Sequence, residues 1–191
     1  MSELKGSKTE KNLLASFAGE SQARNRYTYF ASVAKKEGYE QIAAIFQETA
    51  DNEKEHAKRF FNFLEGGMVE ITASYPAGVI GTTLENLKAA AAGEHEEHTI
   101  LYPGAADVAD EEGFPMIATC FRMIAKVEVE HEKRYNKLVA NIECGEVFKK
   151  GKKTKWKCRN CGYVHESDSA PLKCPTCLHP QSYFELKEVN Y

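Results

Sequence analysis

The sequence predicts a mainly α protein: a four-helix bundle with one long crossover, followed by a small C-terminal domain built on a metal knuckle. Three observations predict it. Apolar residues recur with helical period in four segments up to about residue 145; the second and third segments are separated by "EGGMVEITASYPAGVIG" at 65–81; and two C-x-x-C pairs fall at 158–161 and 174–177. A chain of 191 residues with 42% hydrophobic content can bury one good-sized core with a small appendage, and its composition is that of a folded chain.

The first helix strings Leu13, Phe17, Glu20, Arg24, Tyr27, Ala31 and Ala34 at spacings of four and three, which is one face of a helix, with Glu20 on the core stripe. The second runs Ile42, Phe46, Thr49, Glu53, His56, Phe60 and Leu64 and is expected to end at Gly66 and Gly67, whose missing Cβ suits a helix C-terminus. In the third, Leu84, Leu87, Ala91, Glu94, Glu97 and Leu101 share a stripe, Thr82 or Thr83 caps the start, and Pro103 with Gly104 interrupts the pattern. The fourth carries Ile117, Phe121, Ile124, Glu128, His131, Tyr135 and Leu138, with Pro115 near its first turn. The tight "KEGYE" makes the first two helices antiparallel neighbours, whereas 65–81 is long enough to traverse the bundle. Between helices three and four, "YPGAADVADEEGF" has room for a short helical piece.

After Gly145 a lysine-rich run leads into a stretch rich in Cys, Pro and Tyr, so the expected division is a bundle over 1–147 and a tail over 148–191. Some forty residues cannot bury enough apolar surface to stand unaided and require a staple. Four paired cysteines without a secretion signal read as ligands rather than disulfides: Cys158, Cys161, Cys174 and Cys177 form a tetrahedral thiolate set, which zinc and iron both fit. Cys120 and Cys144 stand apart and read as packing or incidental thiols.

Glu53-x-x-His56 and Glu128-x-x-His131 each place a carboxylate and an imidazole on one helical face, Cβ atoms ~5–6 Å apart. A single instance would pass for a solvated face. Two, both in register with the apolar stripe and accompanied by Glu20, Glu94 and Glu97 near mid-helix, do not. Burying unpartnered carboxylates costs several kcal/mol each, and the stripes offer Arg24 as their fixed cation, so two divalent metals are expected against five carboxylates. Oxygen and imidazole donors suit iron or manganese, with zinc as an occupant in a foreign host. A Glu from each of two helices plus Glu-x-x-His from each of the other two is the arrangement of di-iron and di-manganese carboxylate bundles. Tyr27 and Tyr102 are placed to hydrogen-bond ligand carboxylates. His95 and His98 point to other faces and read as surface or supporting residues, and Glu48, Glu55, Glu96, Glu130 and Glu132 read as solvated.

With Glu20, Glu53/His56, Glu94/Glu97 and Glu128/His131 ahead of "CRNCGY…CPTC", the chain resembles the rubrerythrins over essentially its full length. The cysteine loops resemble rubredoxin knuckles, although the residues between the pairs (162–173) make a shorter excursion than in free-standing rubredoxins. The resemblance implies a ferritin-like four-helix bundle with a rubredoxin-like tail, two iron ions in a carboxylate-bridged site, and one iron in the four-cysteine site, where zinc can substitute. It implies that Glu53 and Glu128 bridge the irons, Glu20 is terminal on one, and Glu94 with His131 is terminal on the other. Glu97 and His56 would exchange on the first iron, Glu97 bound when oxidised and His56 when reduced. The implied activity is that of a non-haem di-iron peroxidase reducing hydrogen peroxide to water in the oxidative-stress defence of an anaerobe. Its electrons would come from rubredoxin and an NAD(P)H-dependent reductase, and a head-to-tail homodimer would bring each tail to its partner's di-iron site.

The alternative within the same bundle class is a ferroxidase or iron-storage protein, for which a fused electron-delivery tail has no clear use. A non-catalytic binding protein is disfavoured by the excess of buried carboxylates. A formal net charge of -3 leaves no broad footprint for nucleic acid, and "KKGKKTKWK" reads as a solvated linker. The polar N-terminus and the absence of any apolar run near ~20 residues predict a cytoplasmic protein without a membrane partner.

Overall fold

The structure, a computed structural model, describes residues 3–190. Helix α1 (Lys8–Lys36) starts at Ser7, whose hydroxyl accepts from Glu10 N–H at 3.0 Å, while the Glu10 carboxylate accepts from Gly6 N–H at 2.7 Å. It ends where Gly38 takes φ +84° and Tyr39 N–H reaches back to Ala34 at 2.8 Å, which reverses the chain into α2 (Glu40–Phe61) as an antiparallel neighbour. α2 stops short of the expected glycine end. Phe63 and Leu64 donate to Phe60 and Phe61 at 3.1 Å, tightening the last turn, and both side chains fold back onto the core, so the chain leaves the helix before Gly66.

The crossover is largely exposed and is tied to α1 by the Tyr75 hydroxyl, which donates to Ala15 at 2.6 Å. Thr82, rather than Thr83, caps α3 (Thr83–Glu96) in a reciprocal capping box with Glu85. The expected break at Pro103 and Gly104 does not occur. A π turn (Glu97–Leu101), in which Tyr102 N–H bonds to Glu97, leads directly into α4 (Tyr102–Glu111), and Pro103 sits in that helix's first turn, where a missing N–H costs little. The residue added by the π turn rotates the helix face by roughly 100°. Leu101 is therefore 49% exposed, against the expected stripe, and Tyr102, at 2%, takes the inward position ahead of Ala105, Ala106 and Ala109.

All seven stripe residues of α5 (Pro115–Glu143) are buried. The bundle core is in two apolar layers, one around Leu13, Phe60, Tyr102 and Phe121, the other around Tyr27, Phe30, Phe46 and Tyr135. Buried carboxylates and imidazoles lie between them.

The tail is an antiparallel sheet of order β2-β1-β3, with β1 (Lys149–Cys158), β2 (Val164–Ser169) and β3 (Phe184–Leu186), around buried Trp156, Phe184, Cys158 and Cys174. The lysine-rich run is thus part of a strand rather than a linker: its backbone pairs with β2 at Lys149 and from Thr154 to Lys157 and with β3 at Trp156 and Lys157, and Lys155 faces Glu166 across the ladder. Phe148 stacks on Tyr39 with ring centroids 6.2 Å apart, docking the tail against the α1–α2 turn. The expected 147/148 division falls between the end of α5 and the start of β1. Among the described residues no helix is long and apolar enough to cross a membrane.

Candidate metal centres

Four helices project six ligand-type side chains into the layer between the apolar cores: Glu20 from α1, Glu53 and His56 from α2, Glu94 from α3, and Glu128 and His131 from α5. They gather as two overlapping sets of four, Glu20–Glu53–His56–Glu128 and Glu53–Glu94–Glu128–His131. Glu53 and Glu128 belong to both. Around His56 Nδ1 lie Glu53 Oε2 at 2.8 Å, Glu128 Oε1 at 2.9 Å and Glu20 Oε1 at 3.7 Å. Around His131 Nδ1 lie Glu128 Oε2 at 2.7 Å, Glu53 Oε1 at 3.3 Å and Glu94 Oε2 at 3.7 Å. Each shared carboxylate thus turns one oxygen to each half.

These approaches are close in distance yet make no hydrogen bonds. Both oxygens of Glu53 and of Glu128, Glu20 Oε2, Glu94 Oε2, and Nδ1 of His56 and of His131 are buried without a hydrogen-bond partner. So many buried acceptors aimed at one layer would be strongly destabilising with nothing between them, and a pair of cations satisfies all of them. The donor chemistry fits iron, since carboxylate oxygen and imidazole nitrogen, without thiolate, surround both positions.

The remaining oxygens are held from across the bundle. Tyr27 donates to Glu94 Oε1 at 2.6 Å and Tyr102 donates to Glu20 Oε1, so Glu94 and Glu20 each have one oxygen anchored and one without a hydrogen-bond partner. His131 Nε2 lies 3.3 Å from Asn52 Oδ1, which fixes the ring with Nδ1 facing inward when Nε2 carries the proton. The sequence reading missed Asn52. Its only local signal is that it precedes Glu53, and its partner is in another helix.

Glu97 joins neither set of four. It stands on the π turn, half-buried, and lines a cavity of about 330 Å³ together with Gln22, Arg26, Tyr75 and Tyr102. Arg24, expected as the fixed cation of the stripe, instead lines a groove with Phe17 and Lys54, and the positive charge that reaches Glu97 is that of Arg26. Burial first, then repulsion from Glu94, Glu128 and Glu53, raises the Glu97 pKa well above the ordinary carboxylate range. Burial, then repulsion by Glu53, does the same to Glu20; burial also raises Glu94, against the opposing pull of His131. For both histidines burial opposes protonation, but the carboxylates at Nδ1 outweigh it, pushing His56 up to about 9 and His131 up to about 12.

In the tail, Cys158, Cys161, Cys174 and Cys177 bring their sulfurs together, with Cys158–Cys177 and Cys161–Cys174 at 3.7 Å. The Tyr163 and His179 backbone N–H groups approach the sulfurs of Cys161 and Cys177. The His179 N–H leads the influences that bring Cys177 down to about 6, while, against the Tyr163 N–H, hydrogen bonding among the thiols pushes Cys161 up to about 12, so the four sulfurs share their protons as one set. His95, His98 and Glu132 form a further cluster on the outer surface, separate from both sets. Cys120 is buried in α5 and Cys144 is exposed beyond its end; neither joins a ligand cluster among the described residues.

Comparison with known proteins agrees with this layout. The family model described as Rubrerythrin matches residues 11–139, and that of the rubrerythrin rubredoxin-like domain matches 156–185. The chain is 68% identical to a rubrerythrin of Porphyromonas gingivalis (strain ATCC BAA-308 / W83) over 98% of its own length and 94% of the relative's. Among solved structures, fully reduced, all-ferrous nigerythrin superposes with a TM-score of 0.63 at 31% identity, covering 96% of this chain and 91% of that one. A Desulfovibrio desulfuricans bacterioferritin shares the bundle fold, with a TM-score of 0.63 at 22% identity over 73% of this chain and 82% of that one. A ferritin-like bundle with two carboxylate–histidine half-sites, continuous with a rubredoxin-like four-cysteine tail, places this chain in the rubrerythrin family.

Proposed function

We propose that the chain is a cytoplasmic non-haem di-iron peroxidase that reduces hydrogen peroxide to water in the oxidative-stress defence of an anaerobe. The observation that carries this reading is the pair of half-sites sharing Glu53 and Glu128 in the same chain as a one-electron tetrathiolate centre. Glu20, Glu53, His56 and Glu128 would hold one iron, and Glu53, Glu94, Glu128 and His131 the other; Cys158, Cys161, Cys174 and Cys177 would hold the third. When bound, the iron pair supplies the two electrons that cleavage of the peroxide O–O bond requires, without release of a radical.

The reaction consumes one peroxide, two electrons and two protons and yields two waters. Glu97 is the group positioned to pass a proton inward, because it lines the cavity beside Tyr102, whose hydroxyl is bonded to Glu20. Tyr27 and Tyr102 orient Glu94 and Glu20 and keep their own protons, burial first and the neighbouring carboxylates next holding both phenols well above the ordinary range. The described arrangement groups His56 rather than Glu97 with Glu20, which suits an exchange of these two ligands with the redox state of the site.

Electrons would reach the tetrathiolate centre from rubredoxin and an NAD(P)H-dependent reductase. Within one chain, α2 carries Glu53 about 21 Å along the helix from Tyr39, against which the tail docks. That separation favours a head-to-tail homodimer in which each tail serves its partner's iron pair. Anaerobic stopped-flow absorption of the fully reduced, iron-loaded protein mixed with peroxide tests the reading. Fast oxidation of the di-iron bands followed by oxidation of the tetrathiolate bands is expected, with the chemistry impaired and the tail spectrum intact in Glu97→Ala. If peroxide leaves both centres reduced while dioxygen with added ferrous iron drives turnover, the ferroxidase reading replaces this one.

A further inference from the structure

Outside the carboxylate layer, three ligand-type side chains from three elements meet at one point of the surface. His95 lies in the last turn of α3, His98 follows on the π turn, and Glu132 comes from α5. His95 Nδ1 lies 3.2 Å from Glu132 Oε1 and His98 Nε2 lies 2.5 Å from Glu132 Oε2, and the imidazoles are edge-on with centroids 5.2 Å apart. The side chain of His98 is 14% exposed and that of Glu132 20%, so the carboxylate is flanked and partly shielded rather than free in solvent. Asn136 Nδ2, at 3.4 Å from Oε1, is its other polar neighbour.

We propose that His95, His98 and Glu132 form a separate, peripheral site for one divalent first-row transition ion of the zinc type. Two imidazoles aimed at opposite oxygens of a single carboxylate are satisfied by hydrogen only if both facing nitrogens carry protons. One cation satisfies both nitrogen lone pairs and the carboxylate together and leaves a position for water. The His95–Glu132 separation is close to the roughly 3.3 Å edge of a tetrahedron built on metal–ligand bonds of about 2.0–2.1 Å, and the tighter His98 contact opens by rotation of the carboxylate. Two of the ligands are also chain neighbours of inner-layer residues, His95 following Glu94 and Glu132 lying one position beyond His131, and His98 follows Glu97 on the π turn. An ion here therefore ties the last turn of α3 and the π turn to α5 from outside.

The test uses the iron-loaded full-length protein equilibrated by dialysis against zinc, with zinc and iron per chain measured by mass spectrometry. One zinc per chain is expected in addition to undiminished iron, and it should be absent from His95→Ala/His98→Ala, whose fold is checked by circular dichroism. Glu132→Gln keeps a hydrogen-bond acceptor but loses the charge, and its zinc affinity should fall on the order of tenfold or more. No zinc uptake by the unsubstituted protein, uptake only at the expense of iron, or equal uptake by the double variant or by Glu132→Gln would each overturn the site and leave a hydrogen-bonded histidine pair. Because the readout is zinc rather than peroxide turnover, its outcome is independent of the peroxidase reading.

Discussion

Tyr102 illustrates how one side chain serves both packing and chemistry. Its ring packs against Phe60 and Phe121, with centroids 5.6 and 6.0 Å away, while its hydroxyl anchors one oxygen of Glu20. Tyr102→Phe keeps the first role and removes the second, leaving Glu20 free to rotate away from its half-site. Iron retention by the carboxylate pair during dialysis against a chelator should weaken by on the order of 10–100-fold, while the tetrathiolate absorption stays unchanged. Equal retention would mean that helix packing alone orients Glu20. At this scale the sequence shows which side chains share a helix face, and for Tyr27 and Tyr102 that a ligand carboxylate is the partner, but not which carboxylate of another helix it is. Glu53 with His56 and Glu128 with His131 are legible from spacing, whereas Asn52 meets its partner 79 residues away, across a pairing that only the fold creates.

At the scale of elements, the π turn has the largest effect. A strict 3.6-residue period carried through Glu94, Glu97 and Leu101 predicts the wrong inward residue, because one extra residue intervenes before Tyr102. Pro103 and Gly104 look like a break for the same reason: their cost in a regular helix is real, but it nearly vanishes where the helix restarts. The four main stripes were legible because each buries its apolar residues against another helix, and the α2 ending was not, because tertiary packing of Phe63 and Leu64 overrides the glycine signal. Deleting Ile100, 64% exposed within the π turn, should restore α-helical register. With one residue fewer ahead of it, Tyr102 takes the inward place that a regular helix gives to residue 101 and keeps its hydroxyl on Glu20. The expected result is a bundle that remains helical by circular dichroism and retains iron in the carboxylate site, with the change confined to the turn that carries Glu97. Loss of that iron would show that the π turn itself, and not only the register of Tyr102, holds the ligand layer.

For the molecule as a whole, the buried titratable groups act in one direction. Glu20, Glu94, Glu97, His56 and His131 all hold protons more tightly in the native state than in an unfolded chain. Without metal the native state therefore binds more protons than the unfolded one, and stability falls as pH rises. The carboxyl part is fully present below their ordinary 4.5 and is lost above it; the His56 part is present below 6.5 and lost as pH rises through about 9. The melting midpoint of metal-free protein should accordingly fall between about pH 5 and pH 9. That of iron-loaded protein should rise over the lower part of this range, because its ligands must shed protons to hold the ions. Calorimetry of both forms across that range checks the pair of slopes, and a metal-free midpoint that climbs with pH would contradict the electrostatic account.

Glu53 and Glu128 each divide their two oxygens between the half-sites. Neither position can be filled as an independent compartment. An ion held by one set would orient both shared carboxylates and so arrange two of the four side chains of the other set. Loading is therefore expected to be cooperative, so that at sub-stoichiometric iron the population should divide into chains holding two ions and chains holding none.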